Sequence, residues 1–278
     1  MSLRKLPEIR ADAHFEGLNF DMRQDAVERW KPEVRAASED EATISMYGPI
    51  GATWDGEGIT VKRIAAALRS IGQRDVTVNI NSPGGDFFEG VAIYNALRQH
   101  RAQVNVNVLG LAASAGSIIA MAGDEIRMGE GSFLMIHNAW AVAIGNRHDF
   151  TEAAEFLAPF DAEMANLYAN RTGLKVSAIE KMMDAETWIG TSRAIEDGFA
   201  DSMLDRDSVT EDASAKGDRK ALALVEASLA RSGYSRSQRR DTLKSLFTGK
   251  PSAAEPATPR AGDDTAALLQ NLITNIRG

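Results

Sequence analysis

The sequence predicts an α/β protein, and three observations carry that expectation. Short alternating apolar runs recur through the middle of the chain, each followed by a stretch with helical spacing. Glycine and proline punctuate the ends of those runs, as at Gly48-Pro49 and Pro83-Gly84-Gly85. With 278 residues, 44% of them apolar, the chain can build one ordinary core and still carry additions. Repeated strand-helix alternation implies parallel pairing through right-handed crossovers.

The elements follow in order. Residues 1 to 40 form a charged, weakly patterned arm in which Phe15, Leu18, Phe20 and Trp30 can anchor a strand or a docking segment. Ile44 to Tyr47 reads as a strand, and Val61, Ile64, Ala65, Leu68 and Ile71 share one helical face. Val76, Val78 and Ile80 alternate with Thr77 and Asn79 in the next strand. A helix from about Phe88 to Gln99 leads to a strand through Val104, Val106 and Val108, and a further helix covers Ser117 to Ala122. Phe133 to Ile136 is again strand-like. Phe150, Ala154, Leu157, Phe160, Met164, Leu167 and Tyr168 then line a long amphipathic helix that stops at Gly173. Ser177 with Glu180 suggests a capping box for a short helix. Trp188-Ile189 reads as extended, a short helix ends near Gly198, and Phe199 to Leu204 closes the domain. Beyond that, Asp207 to Asp218 reads as a polar linker, Lys220 to Ala230 as a helix, and Ser235 with Gln238 as the cap of another helix ending near Phe247. Thr248 to Asp264 is rich in Pro, Ala, Ser and Thr and reads as disordered, and Leu268 to Ile276 makes a small amphipathic helix. The basic stretch Arg236, Arg239, Arg240 and Lys244 reads as a solvated helix face rather than a nucleic-acid site.

The chemistry concentrates at Gly110-Leu111-Ala112-Ala113-Ser114-Ala115-Gly116. A strand turns into a helix there, and one serine stands among residues too small to hide it. Such a turn lifts a hydroxyl out of the backbone ahead of free helix N–H groups, which can stabilise a tetrahedral oxyanion. A serine nucleophile also needs a base and an orienting acid. Of four histidines, His14 lies in the polar leader, His100 closes a helix and His148 sits in a polar turn. His137 alone ends an apolar strand, where a fold presents side chains to a cleft. In Asn81-Ser82-Pro83-Gly84-Gly85, proline stops the strand and the paired glycines let the backbone come close to another group.

Asn81-Ser82-Pro83-Gly84-Gly85, then Gly110 to Gly116, then Met135-Ile136-His137 resemble the proteolytic subunit of the Clp protease, a serine peptidase, over about residues 41 to 204. The resemblance implies a crotonase-like spiral of strand-helix units for residues 41–204, flanked by a divergent arm (1–40) and a partly helical, partly disordered extension (205–278). It implies Ser114 as nucleophile, His137 as general base, and the N–H groups of Gly85 and Ala115 as the oxyanion hole. Alignment through Thr172-Gly173 and Trp188-Ile189 puts Glu186 where the family has aspartate, with Asp184 as the alternative acid; in an extended segment both point to one face. In the family the long helix forms a handle between two rings, so a homo-oligomeric ring and a Clp-type ATPase partner are implied. The extension, the divergent leader and the lack of a proline after His137 are similar to Clp-like phage head-maturation proteases, which cleave scaffold and capsid proteins.

Composition narrows the field. The absence of cysteine excludes a thiol nucleophile, a disulfide framework and thiolate zinc sites. No metal-ligand spacing or P-loop occurs, so no cofactor is expected and ATP hydrolysis is left to another chain. A net charge of −8 argues against a general nucleic-acid surface. No apolar run approaches the ~20 residues of a membrane span, and the start does not read as a signal peptide, so a cytoplasmic location is expected. Two rival readings stand beside the endopeptidase: a crotonase-fold acyl-CoA hydratase or isomerase, and a catalytically inactive assembly protein.

Overall fold

A computed structural model describes residues 19–248, apart from 57, 144 and 213–217. The elements begin with β1 (Asn19–Phe20), α1 (Gln24–Arg29), β2 (Val34–Ala36), β3 (Thr43–Tyr47) and α2 (Val61–Ile71). Next come β4 (Val76–Ser82), α3 (Phe87–Arg98), β5 (Val104–Ala113), α4 (Ala115–Ala120), β6 (Glu125–Met128) and β7 (Phe133–Ile136). The rest are β8 (Ala141–Val142), α5 (Arg147–Thr172), α6 (Val176–Asp184), β9 (Thr187–Gly190), α7 (Thr191–Glu196), β10 (Ser202–Met203), β11 (Val209–Glu211), α8 (Asp218–Arg231) and α9 (Arg236–Thr248).

The main sheet runs β10-β6-β5-β4-β3, parallel throughout. β5 is longer than its neighbour. Its first half pairs with β6 as far as Val108, and its last residues, Leu111 to Ala113, pair with β7. β7 in turn carries β9, antiparallel, with Ile136 opposite Thr187. This fork is what brings three strand ends together at one place.

Alternation along these strands divides the core in two. Val76, Val78 and Ile80 of β4, Ala112 of β5, Leu134 and Ile136 of β7 and Ile189 of β9 pack with α2 to α7 in the larger cluster. Leu111, Ala113 and Met135 face the other way, with Trp188 against them. That second face is covered by Met22, Ala26, Val27 and Trp30 around α1 and by Ala223 of α8. Trp30 is anchored by its indole N–H, which donates to the Asn81 carbonyl at 3.1 Å.

Several expectations need correction. The Ser177–Glu180 capping box does not form: α6 starts at Val176 from Lys175, whose carbonyl accepts from Ala178 and Ile179, so Ser177 already lies inside the first turn. The polar segment after Asp205 is only partly a linker, because β11 pairs with β2 through Val209–Ala36. The basic stretch is only in part a solvated face: Arg240 and Lys244 are exposed, but Arg239 is 1% exposed and ion-paired to Asp21, and Arg236 pairs with Asp86. The Ser235–Gln238 cap forms, with Ser235 N–H donating to Gln238 Oε1 at 2.8 Å. The readings for His14, Phe15 and Leu18, for the stretch after Thr248 and for a helix at 268–276 lie outside the described residues.

Candidate active site

β5 ends in a turn that its small residues permit. Ser114 has φ 53° and ψ −121°, a left-handed conformation that a serine adopts only under constraint. The constraint is visible. Its N–H donates to the Met135 carbonyl at 2.9 Å, and its carbonyl accepts from Ser117 N–H at 2.9 Å, Ile118 N–H at 3.2 Å and Ser117 Oγ at 2.7 Å. Ser117 Oγ also lies 2.8 Å from the hydroxyl of Tyr168 on α5. The chain therefore clamps both backbone groups of Ser114 and leaves its side chain half-buried at the start of α4. Tyr168 reads in sequence as one member of an apolar stripe; the buried hydroxyl that completes this clamp gives no separate signal.

The Pro-Gly-Gly loop lies against this turn. A Cβ on Gly84 would come within 2.7 Å of the Ala113 carbonyl and 2.8 Å of Ser114 Cβ. One on Gly85 would come within 2.1 Å of the Ile50 carbonyl. The positive φ angles of both, 94° and 147°, give a second reason for glycine. Ser82 Oγ accepts the Gly84 N–H at 3.1 Å, so that donor is occupied. Gly85 forms a parallel bridge to Ile50, in which Ile50 N–H donates to the Gly84 carbonyl at 2.9 Å and Asp86 N–H to the Ile50 carbonyl at 2.9 Å. In that pattern the Gly85 N–H points away from Ile50, toward the β5 side where Ser114 sits. The Ala115 N–H opens α4, where a helix leaves its first donors unpaired within the helix.

His137 follows β7 directly, and Glu186 directly precedes β9. The β7–β9 ladder ends at the Ile136–Thr187 pair, whose members adjoin His137 and Glu186 in the chain. Strand alternation from Met135 turns the His137 side chain toward the face covered by α1. His137 is 6% exposed, and its Nε2 has no hydrogen-bond partner among the described residues. Burial, with a further contribution from the nearby Arg23 charge, pulls its pKa down to about 4, so the ring is neutral at neutral pH.

The acids are arranged differently from the sequence expectation. Asp184 and Glu186 do not share an extended segment: Asp184 ends α6 and Glu186 has φ 48°. Asp184 accepts a hydrogen bond from Asn138 Nδ2 at 2.8 Å. Glu186 pairs with the guanidinium of Arg23, which also donates from Nε to Asp25 at 2.9 Å. Ser114, His137 and Glu186 thus lie at or beside the ends of the adjoining strands β5, β7 and β9, Asp184 is engaged by Asn138, and Arg23 enters from a segment with no motif to mark it.

With that geometry in hand, the comparisons are specific. The sequence model of the Clp protease family matches residues 33–207, more than half of the chain. The chain belongs to the Clp protease family. Membership makes it a serine endopeptidase. A stretch of 133 residues is 34% identical to the ATP-dependent Clp protease proteolytic subunit 1 of Corynebacterium jeikeium, covering 47% of this chain and 71% of the relative. Proteolytic subunit 2 of Rhodococcus jostii is 33% identical over 135 residues, covering 48% of this chain and 69% of that one. A solved ClpP1 variant from Listeria monocytogenes superposes with a TM-score of 0.51 at 22% identity, over 63% of this chain and 95% of its own, which supports the shared fold. The family match spans β2 to the turn before β11 and leaves α1, α8 and α9 outside it. Among the described residues no helix is long and apolar enough to cross a membrane.

Proposed function

We propose that this Clp-family chain hydrolyses peptide bonds through Ser114, His137 and Glu186. The constrained backbone of Ser114, pinned to the β7 strand that delivers His137, is the observation that carries this reading. Ser114 Oγ attacks the scissile carbonyl carbon while its proton passes to His137. The oxyanion is held by the Gly85 and Ala115 N–H groups. The C–N bond then breaks as His137 returns the proton to the leaving amine, and water, deprotonated by the same ring, releases the acyl group. Glu186 orients the imidazole. It supports this choice over Asp184 that Glu186 adjoins Thr187, which pairs with Ile136 next to His137, whereas Asp184 is engaged by Asn138.

An extended substrate can lie along the strand edge near Gly85, with the Gly85 N–H reserved for the oxyanion. As a member of this family the chain is read as a homo-oligomer. The folded α8–α9 extension lies outside the family match and favours a self-contained maturation protease, with capsid or scaffold proteins as substrates, over a subunit that depends on a Clp-type ATPase. The test is peptidase turnover of Ser114→Ala beside wild type. Loss of about a thousandfold or more is expected, and turnover that persists would sink the assignment.

A further inference from the structure

We propose that Arg23 is a positioning residue that keeps this protease latent: its guanidinium holds the Glu186 carboxylate away from His137, and withdrawal of the arm that carries it lets the acid reach the ring. The inference rests on the Ser114–His137–Glu186 reading above.

Three observations carry it. First, the serine–histidine hydrogen bond is not made. His137 Nε2, the nitrogen that faces the serine in such a triad, is buried without a partner among the described residues, so Ser114 Oγ does not reach it. Second, the carboxylate of Glu186, the residue just ahead of β9, is engaged elsewhere. Arg23 joins Glu186 on one side and Asp25 on the other, with its own side chain only 19% exposed. A positive charge there also disfavours a protonated imidazole, the form His137 must adopt once it accepts the serine proton. Third, the arm is held by the rest of the chain. Arg23 is the residue before α1, and α1 packs Ala26 and Val27 onto Met135. Lys220 of α8 donates to the Glu28 carbonyl at 2.5 Å, and Arg231 of α8 bonds Gln24. Just ahead of the arm, Asp21 is paired with Arg239 of α9. The C-terminal helices therefore hold the arm, and the arm holds the acid.

The charges around the ring are accounted for on each packed element. Arg23 and Asp25, on or beside α1, are the charges that act on the ring, and Glu186, just before β9, is paired with Arg23. Asp184 of α6 and Asp161 of α5 bind the Asn138 side chain and the Ala139 N–H, at 2.8 Å and 2.6 Å. Arg23 is the one cation of this set. Its removal exchanges a repelling cation for an available carboxylate, and both changes raise the proton affinity of His137.

The experiment measures the rate at which a fluorophosphonate labels Ser114, as a function of pH, in the full chain and in Arg23→Gln and Arg23→Lys. Arg23→Gln should label at least about tenfold faster, with the acidic limb of its profile displaced to higher pH. Arg23→Lys keeps the cation and should stay near wild type. A purely structural role would slow labelling in Arg23→Gln and leave the limb in place. Labelling of Arg23→Gln that is unchanged or slower, on an unshifted limb, overturns the inference. Absence of label at Ser114 in every variant overturns the serine-peptidase assignment itself, and the two failures are thereby told apart.

Discussion

The strand-end frame and the charged flank meet at His137 but are built in different ways. The frame consists of β5, β7, β9 and the Gly84-Gly85 loop, and it is fixed by backbone hydrogen bonds and by side chains small enough to let backbones touch. The flank consists of α1, α8 and α9, and besides the apolar cluster under α1 it is tied by ion pairs: Arg23–Glu186, Arg236–Asp86 and Arg239–Asp21. Each pair joins parts of the chain that are distant in sequence. Only the frame falls within the family match, where shape is shared with relatives. The comparison teaches that geometry for catalysis and control over its protonation are separable here. In the proposed reading the frame sets where the serine and histidine sit, and the flank, through Arg23, sets which partner the acid holds.

The largest expected effect breaks the frame. Gly85→Ala puts a methyl within 2.1 Å of the Ile50 carbonyl at φ 147°. It should cost about 3 kcal/mol or more, read as a fall in denaturation midpoint, and should abolish peptidase activity in whatever remains folded. Breaking the flank comes next. Arg239→Gln leaves Asp21 buried without its cation and should cost roughly 3 kcal/mol at neutral pH. Burial already raises the Asp21 pKa, and losing Arg239 raises it further. A protonated Asp21 tolerates the loss, so the destabilisation should shrink as pH falls toward 4. A penalty that does not depend on pH would show that the pair acts through packing alone.

His137 sharpens the comparison, because it belongs to the frame yet feels the flank. Its folded pKa, about 4, lies below the unfolded value of 6.5. The unfolded chain therefore binds a proton first, and stability that is fully present above pH 6.5 is lost as pH falls toward 4. The window corresponds to roughly 3 kcal/mol. Denaturant unfolding of His137→Gln across pH 4 to 7 should lack this slope, and an identical slope would remove His137 as its source. The smallest effect concerns Ser114. Relief of its φ of 53° in Ser114→Gly should stabilise the fold by about 1 kcal/mol while eliminating activity.

The same division explains what the sequence reveals. Val76 to Ile80 and Val104 to Val108 show their pairing because each strand advertises itself through local alternation. The Ser114 turn shows itself through consecutive small residues, and the glycine loop through Pro83-Gly84-Gly85. Glu186 is reached by alignment, but its turn conformation is not, since nothing in Asp184-Ala185-Glu186 marks a residue with φ 48°. Arg23, Arg236 and Arg239 are opaque for a physical reason. An ion pair formed across the fold leaves no periodicity, and an arginine reads as solvated until its partner is known. Asn81 shows the intermediate case. Its motif is legible, yet its side-chain amide bonds to the carbonyls of Lys31 and Val34, at 2.7 Å and 3.0 Å, appear only once the arm is folded against β4.

The most direct measurement is mass spectrometry of the protein after reaction with a fluorophosphonate, with the adduct mapped to a single peptide. A single adduct on Ser114 is predicted, absent in His137→Ala, strongly reduced in Glu186→Gln and retained in Asp184→Asn. Equal labelling of His137→Ala, or an adduct on a different serine, would contradict the account at its centre.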